Sequence, residues 1–299
     1  MIRQKALRQT ADDRAFDIIV NAAVILITLI AIYPLYFVVL ASVSDPYATA
    51  SGKTLLWPVS PTLEGYNHIF HYKKIWTGYG NTIIYTLGSA LLGVSVTTMA
   101  GYALSRQDLV GRNIFMKVFV FTMYFSGGIV PLYLVMKSLS LINTRMVVIL
   151  LGGFTAYNLV VARTFFVSKM PVELYEAASV DGCGNGRFFF QIVLPLSKEI
   201  VTVLLLYYAV SQWNSYFNAM IYTTKPALQP LQLILRDILI NAQTMTTDGL
   251  TAEELAAQQR LAETTKYGIM VVSSLPVLAA YPFLQKFFIN GVMIGSVKG

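Results

Sequence analysis

Long runs of apolar side chains constrain the fold of this chain more than any other feature. They cover residues 18–41, 82–104, 114–136, 146–167, 200–222 and 268–287. A helix needs about 20 mainly apolar residues to cross a bilayer, so each run is long enough for one crossing. Only 12% of the residues are charged, against about 25% in soluble domains. The sequence therefore predicts an all-α membrane protein with six transmembrane helices.

The pattern within the runs separates helices from other apolar segments. Strands of a transmembrane barrel alternate apolar and polar residues over about ten positions, whereas these runs are apolar on all sides. The first run is also longer than the core of a signal peptide, which has about 7–15 residues. We therefore expect it to remain as a membrane anchor.

Basic residues indicate how the chain is oriented. Arg3, Lys5, Arg8 and Arg14 precede the first span, and basic residues favour the cytoplasmic side. With six spans, both termini are then expected inside. The net charge of +7 fits this orientation and contact with anionic membrane lipid, so no nucleic acid partner is needed. The predicted organisation is a cytoplasmic tail at 1–17, a transmembrane domain at 18–290 with loops at 168–199 (cytoplasmic) and 223–267 (external), and a cytoplasmic tail at 291–299.

The predicted spans lack the groups that drive transport or catalysis directly. No acidic residue falls inside a span, and Lys117 and Arg163 sit near span ends, where long basic side chains reach the interface. Proton- or sodium-coupled carriers place ionisable groups near the midplane, which argues against a self-powered pump. We expect no catalytic residue, because the spans hold no paired carboxylate and no His. We expect no metal site, because His68 and His71 have no evident third ligand. A channel remains compatible with this pattern.

The sequence of the loop between the fourth and fifth runs predicts a short helix. Pro171 suits a first helical position, and Glu173 and Glu176 lie in early turns, where the helix dipole favours negative charge. Gly182 is placed to end the helix in a left-handed conformation. The loop is therefore predicted to display a helix of about three turns. A helix that only connects two spans along the membrane surface is the alternative.

Several motifs resemble one family of transport proteins. The loop residues Glu176-Ala177-Ala178-(Ser179-Val180-Asp181)-Gly182, followed by Ile192-Val193-Leu194-Pro195, resemble the cytoplasmic loop of type I ABC importer permeases. Residues 285–299 look like the ending of the second permease subunit in maltose-type importers. Residues 162–166, 213–214 and 230–233 resemble the branch serving oligo- and polysaccharides. The likeness covers nearly the whole chain and is nearest to alginate-type importers.

The resemblance implies a mechanical function in a bacterial cytoplasmic (inner) membrane. In such permeases a coupling helix in this loop seats in a cleft of an ATPase subunit, and closure of the ATPase dimer rocks the spans between inward- and outward-facing states. The residues implied in docking are Glu176, Ala177, Ala178, Asp181, Gly182, Gly295 and Lys298. The implied partners are a second permease subunit, two ATPase subunits that bind the ATP and Mg²⁺, an external solute-binding protein and a carbohydrate. This chain itself would hold no cofactor.

The fifth run is unusually polar toward its outer end. Tyr208 with Gln212, and Asn214 with Asn218, are spaced four residues apart, which puts each pair on one helix face. Hydroxyls, amides and aromatic rings engage sugars, so these four residues are predicted to line the substrate pathway. Polar side chains also hold transmembrane helices together, which leaves a packing role open. In the external segment that follows, 223–266, we expect a helix at 251–265. The resemblance implies that this segment as a whole contacts the binding protein, and an amphipathic cover lying on the bundle or bilayer is the alternative.

Glycine and proline interrupt several runs. Gly127-Gly128 and Pro131 fall in the third, Pro34 in the first, and Pro276 and Pro282 in the sixth. Such residues bend helices, either as hinges or as static packing features. Two functions stay open at this point. The preferred one is a non-catalytic permease subunit of an ATP-driven carbohydrate importer, and the alternative is a passive channel or membrane scaffold anchoring a cytoplasmic partner.

Overall fold

The computed structural model describes residues 11–243 and 252–291. All regular elements in these two ranges are helical, which agrees with the all-α prediction. The helices are α1 (Ala11–Ser42), α2 (Pro46–Ala50), α3 (Glu64–His71), α4 (Lys73–Ser105), α5 (Arg112–Tyr124), α6 (Ile129–Ser138), α7 (Arg145–Gly152), α8 (Ala156–Lys169), α9 (Val172–Val180), α10 (Asn185–Phe188), α11 (Leu194–Leu196), α12 (Lys198–Trp213), α13 (Phe217–Tyr222), α14 (Leu231–Gln243) and α15 (Ala252–Gly291). A π-helical turn, Phe189–Val193, joins α10 to α11.

The chain forms two compact units. The first contains the described residues up to His71 together with Ile238–Val272, and the second contains Tyr72–Asp237 and the described residues from Ser273 onward. Of the three boundaries along the chain, one lies between α3 and α4, and the other two fall inside α14 and α15. The loop and the polar span singled out by the sequence both belong to the second unit.

Most of the predicted spans correspond to long helices or to bent helix pairs. Within the described ranges, α1 and α4 are each long and apolar enough to cross a membrane. Three pairs reach that length and composition together: α5 with α6, α7 with α8, and the α10–α11 segment with α12. Up to five crossings are thus present by length and composition. The sixth predicted run, 268–287, lies inside α15, which is not among them.

The sharpest bend occurs where the sequence predicts one. The axes of α5 and α6 differ by 117° across a short break. Gly128 lies in this break with φ +89°, a conformation that side chains with a Cβ rarely adopt. Pro131 follows within the first turn of α6, where its missing N–H costs no helical hydrogen bond. The chain therefore turns in the break after Phe125, and Gly128 takes the conformation from which α6 begins.

In the first unit, α1 exposes large apolar side chains along its length, and a short folded connection follows it. Ile19, Ile25 and Leu29 are each about 60% exposed or more, as expected for side chains that face lipid or another subunit. After α1, Asp45 caps α2 by accepting hydrogen bonds from the backbone N–H groups of Tyr47 and Ala48. These bonds satisfy donors that the first helical turn leaves unpaired.

An arginine of α15 closes the first unit. Arg260 forms ion pairs with Asp45 at 3.5 Å and with Glu64 at 3.3 Å. Further along α15, Thr264 packs so closely that a Cβ at Gly65 would lie 2.6 Å from its carbonyl oxygen. The separate helix expected at 251–265 is instead the first part of α15, which continues without a break to Gly291.

The second unit is built around α4. This helix packs against α7, α8 and α12, and small residues occupy its closest contacts. A Cβ at Gly93 would lie 2.8 Å from the Tyr208 ring, and one at Gly101 would lie 2.8 Å from the Ala162 Cβ. Small residues let transmembrane helices approach closely and gain van der Waals contact. The core of this unit therefore depends on the absence of side chains along one face of α4.

Candidate functional site

The predicted loop helix is α9, and its ends follow from local sequence. It covers Val172–Val180, with Pro171 as the capping residue just before it rather than at its first helical position. Gly182 has φ +74°, as predicted. The N–H of Gly182 donates to the Ser179 carbonyl at 3.0 Å, and the N–H of Cys183 donates to the Ala178 carbonyl at 2.9 Å. This pair of bonds is the Schellman motif, which satisfies the last carbonyls of a helix.

The predicted docking residues differ in their surroundings. Glu176, Ala177, Asp181 and Gly182 are exposed, so their surface is available to a partner. Ala178 is half-buried and packs against the buried cluster that contains Tyr102, Phe166 and Phe188. Gly295 and Lys298, also predicted to dock, lie outside the described residues.

Aromatic side chains anchor α9 and α10 to the second unit. The Tyr175 ring meets Phe188 edge-on, with 5.3 Å between ring centroids. Tyr102, near the end of α4, contacts Phe166 and Phe189 at 5.8 and 5.5 Å. Such pairs are each worth about 0.5–1.5 kcal/mol beyond the area they bury. The loop therefore rests on the ends of α4 and α8 through a buried aromatic layer.

Arg106, directly after α4, lies above this layer, and we call its contacts the Arg106 clasp. Its Nε donates to Asp108 Oδ1 at 2.8 Å, and its Nη1 donates to Asn185 Oδ1 at 3.1 Å. Its Cζ sits 3.7 Å from the centre of the Tyr175 ring. The hydroxyl of Tyr175 donates to the same Asn185 oxygen at 3.1 Å. One guanidinium thus contacts both α9 and α10.

The charges of the clasp stabilise one another. Hydrogen bonding from Arg106 holds the pKa of the Asp108 carboxyl below its usual value, and the same bond raises the pKa of the Arg106 guanidinium. Bonding to Arg106 also lowers the pKa of the Tyr175 hydroxyl. Arg106 and Asp108 are therefore both ionised throughout the neutral pH range. The pair loses its negative partner only as pH falls through the lowered pKa of Asp108.

A cavity of about 440 Å³ marks the predicted substrate region. It is lined by Leu151, Gly152, Thr155, Tyr157, Asn158, Tyr207, Tyr208, Ser211, Gln212, Ser215 and Asn218. None of these lining side chains is charged, and most carry a hydroxyl or an amide. The cavity lies beside the break between α7 and α8 and beside the C-terminal end of α12. A lining of this composition can exchange hydrogen bonds with the hydroxyl groups of a sugar.

Tyr208 and Gln212 lie together at the cavity, as their spacing predicts. Both belong to α12 and both are at least nine-tenths buried. The Tyr208 hydroxyl is 2.6 Å from Thr97 Oγ1 of α4, and it accepts a hydrogen bond from the Thr155 N–H at 3.3 Å. Gln212 lies so close to Gly152 that a Cβ at that glycine would overlap its Oε1. These contacts join α4, α12 and the break before α8.

The prediction that Asn214 and Asn218 share one helix face is wrong. Asn214 is the residue that ends α12, and Asn218 belongs to α13, so the helix is interrupted between them. Asn214 is exposed and its Nδ2 donates to the Val210 carbonyl at 2.8 Å. Asn218 lines the cavity and Asn214 does not. The Asn214 amide therefore bonds to the end of α12 and does not share a face with Asn218.

Several residues of both sites escape detection in the sequence. Arg106 and Asn185 are 79 positions apart, and no periodicity links them. Thr155 and Asn158 lie in and after the break between α7 and α8, and they line the cavity beside the 46° bend of that pair. Within the described residues, no group of three or more His, Cys, Asp or Glu side chains is arranged to hold a metal ion.

Comparison with known proteins gives one family and a consistent set of relatives. Residues 93–294 match the family described as "Binding-protein-dependent transport system inner membrane component". A Bacillus subtilis protein named polygalacturonan/rhamnogalacturonan transport system permease protein YtcP is 36% identical over 96% of this chain and 99% of its own length. The arabinooligosaccharides transport system permease protein AraQ of Halalkalibacterium halodurans is 28% identical over 91% of this chain and 93% of its own.

A solved structure has a similar fold over nearly the same length. It is a chain from the crystal structure of a bacterial ABC transporter involved in the import of the acidic polysaccharide alginate. The TM-score is 0.83 at 30% sequence identity, covering 95% of this chain and all of the other. The bent helix pairs and the short loop helices described above therefore occur within a known architecture.

Proposed function

The chain belongs to the family of binding-protein-dependent transport system inner membrane components, and from that membership we propose that it carries an oligo- or polysaccharide across the cytoplasmic membrane under the control of separate ATPase subunits. It is a permease subunit of the carbohydrate ABC importer class. In the proposal, a second permease subunit completes the pathway, and an external solute-binding protein delivers the cargo. The ATP and Mg²⁺ are held by the ATPases, and this chain contributes no catalytic group.

The observation that carries the proposal is the exposed surface of α9. Glu176, Ala177, Asp181 and Gly182 are open to a partner, while the other side of the same helix rests on the aromatic layer. A helix held in this way can receive a force without unfolding. The C-terminal residues Gly295 and Lys298 are proposed to add to the same docking surface, following the family resemblance.

Orientation is proposed as N-in and C-in, with α9 facing the cytoplasm. Arg106, Arg112 and Arg163 line a second cavity of about 390 Å³ beside α9, and Arg187 lies in α10. Arginine is enriched on the cytoplasmic side of membrane proteins. The tails at 1–17 and 291–299 are then cytoplasmic as well, and the loop at 223–267 is external.

The cavity around Gln212 is the proposed passage for cargo. Its uncharged hydroxyl and amide lining suits sugar hydroxyls, and its tyrosines offer flat faces to sugar rings. Alginate is the first cargo to test, because a similar structure belongs to an alginate importer. The next cargoes to test are polygalacturonan, rhamnogalacturonan and arabinooligosaccharides, which the names of the similar permeases give.

The proposal is tested with the full transporter in liposomes. The chain is co-expressed with its second permease and ATPase subunits, and hydrolysis and uptake are measured with the binding protein and each sugar. We expect the ATPase to co-purify and the loaded binding protein to stimulate hydrolysis. A passive channel predicts sugar flux that is unchanged when a hydrolysis-deficient ATPase replaces the active one, and a scaffold predicts no sugar flux with either ATPase. Either result contradicts the proposal.

A further inference from the structure

We infer that Arg106 is a positioning residue that fixes the loop helix α9 to the end of α4, so that a displacement of α9 is passed along α4 to the Gln212 cavity. The inference rests on the proposed function and identifies which contact within this chain transmits the motion. It concerns three connections: from α9 to Arg106, from Arg106 to α4, and from α4 to the cavity.

The first connection is the clasp itself. Arg106 covers the face of Tyr175 on α9 and donates to Asn185, the first residue of α10. Because the Tyr175 hydroxyl donates to the same Asn185 oxygen, the three side chains form a closed set. The Arg106 side chain is only 14% exposed, and partial desolvation strengthens a cation over an aromatic face. Any displacement of α9 must therefore carry Arg106 with it or break this set.

The second connection holds Arg106 firmly on the α4 side. Its Nη1 also donates to the Tyr102 hydroxyl, one turn earlier, at 3.2 Å. Its carbonyl accepts a hydrogen bond from Arg112 at 3.2 Å. Arg163 of α8 donates to the Leu104 carbonyl at 3.1 Å. The end of α4 is thus tied to the start of α5 and to the middle of α8, which restrains Arg106.

The third connection runs through α4. Thr97 lies nine residues before Arg106, or about 14 Å along a helix. Its Oγ1 contacts the Tyr208 hydroxyl at 2.6 Å, and Gly93, one turn further, lies beneath the Tyr208 ring. No proline interrupts α4 between Lys73 and Ser105. A shift at the clasp therefore reaches a side chain that lines the cavity.

The clasp requires arginine rather than positive charge alone. Arginine has a planar fork that stacks on a ring and donates in several directions at once, whereas lysine is a flexible point charge. Arg106 uses both properties, because it stacks on Tyr175 while donating to Asp108, Asn185 and Tyr102. The substitution Arg106→Lys keeps the charge and removes this geometry, so it isolates the contact that the inference depends on.

The test measures coupling separately from docking. Arg106→Lys and Tyr175→Leu are each placed in the full transporter, and basal hydrolysis, stimulation by the loaded binding protein, and uptake are compared. We expect the ATPase to remain bound and basal hydrolysis to persist, while stimulation and uptake both fall at least about fivefold, within the usual range of coupling. The double variant Arg106→Lys/Tyr175→Leu should lose no more stimulation and uptake than the more impaired single variant, because both substitutions remove the same contact.

The matched control is Arg187→Lys in α10. Arg187 is exposed and donates to Gln191 at 2.8 Å in its own turn, so its replacement should leave stimulation and uptake unchanged. Normal stimulation in both clasp variants overturns the inference. It is also overturned if both variants lose ATPase binding together with transport, since the clasp would then only maintain the fold of the loop. If the unsubstituted transporter shows no ATP-dependent uptake, the proposed function fails instead.

Discussion

The loop helix and the cavity wall belong to one unit and are built in opposite ways. The turn that ends α9 is closed by neighbouring backbone groups, and a Cβ at Gly182 would have no atom within 4 Å. The wall around Tyr208 and Gln212 joins α4, α12 and the break between α7 and α8. A Cβ at Gly93 would collide with Tyr208, and one at Gly152 would collide with Gln212. Substitutions in the loop should therefore act through surface chemistry, and substitutions in the wall through packing.

The largest effect is expected from Gly182→Asp. It adds a negative charge beside Asp181 on the proposed docking surface, and uptake should fall to the background of the assay while the protein level in the membrane is unchanged. Gly182→Asn is the control, because Asn and Asp both tolerate a left-handed conformation and only Asp is charged. Equal loss of uptake in the two variants would attribute the effect to backbone strain, and normal uptake in Gly182→Asp would refute the docking assignment.

Gly93→Ala tests the wall. Its Cβ would lie 2.8 Å from three carbons of the buried Tyr208 ring, and overpacking of this kind costs about 1–3 kcal/mol. We expect a lower unfolding temperature in detergent and reduced uptake. Gly80→Ala in the same helix is the control, since its Cβ would meet nothing within 4 Å and alanine favours helix by about 1 kcal/mol. If the two variants have the same unfolding temperature, the proposed contrast between wall and loop is incorrect.

Gln212→Ala should have a moderate effect. It removes an amide from the cavity lining, and losing one hydrogen bond to cargo is worth about 0.5–1.5 kcal/mol. We expect uptake at low sugar concentration to fall by roughly three- to tenfold, with the ATPase still bound and assembled. Loss of assembly would instead support the packing role for this residue that the sequence leaves open.

The smallest effect is expected from Asn214→Ala. Its amide bonds the Val210 carbonyl at the exposed end of α12, outside the cavity lining. Uptake and stimulated hydrolysis should match those of the unsubstituted protein. A loss comparable with that of Gln212→Ala would extend the pathway beyond the cavity and weaken the distinction drawn between these two residues.

Local signals explain which features could be predicted. The helix α9, its left-handed end at Gly182 and the bend near Gly127-Gly128 depend on residues close together in sequence. The membrane class follows from run length and composition. In contrast, the docking assignments of Gly295 and Lys298 remain predictions, because these residues lie outside the described ranges.

Tertiary features explain what could not be predicted. Asn214 and Asn218 have helical spacing, but α12 ends between them, and a helix end of this kind carries no glycine or proline to mark it. The separate helix expected at 251–265 merges into α15 because the polar and apolar stretches share one continuous helix. The Arg106 clasp needs contacts between residues 79 positions apart, which a single sequence does not reveal.

The open surroundings of the loop tip have a practical consequence. Gly182, Gly184 and Gly186 would each gain a Cβ without meeting another atom within 4 Å. Gly184 and Gly186 have no positive φ, so either can be replaced without backbone strain. A fluorophore attached there would report on the loop's surroundings while leaving the bundle intact, which makes this short stretch a natural place to instrument the protein for single-molecule measurements.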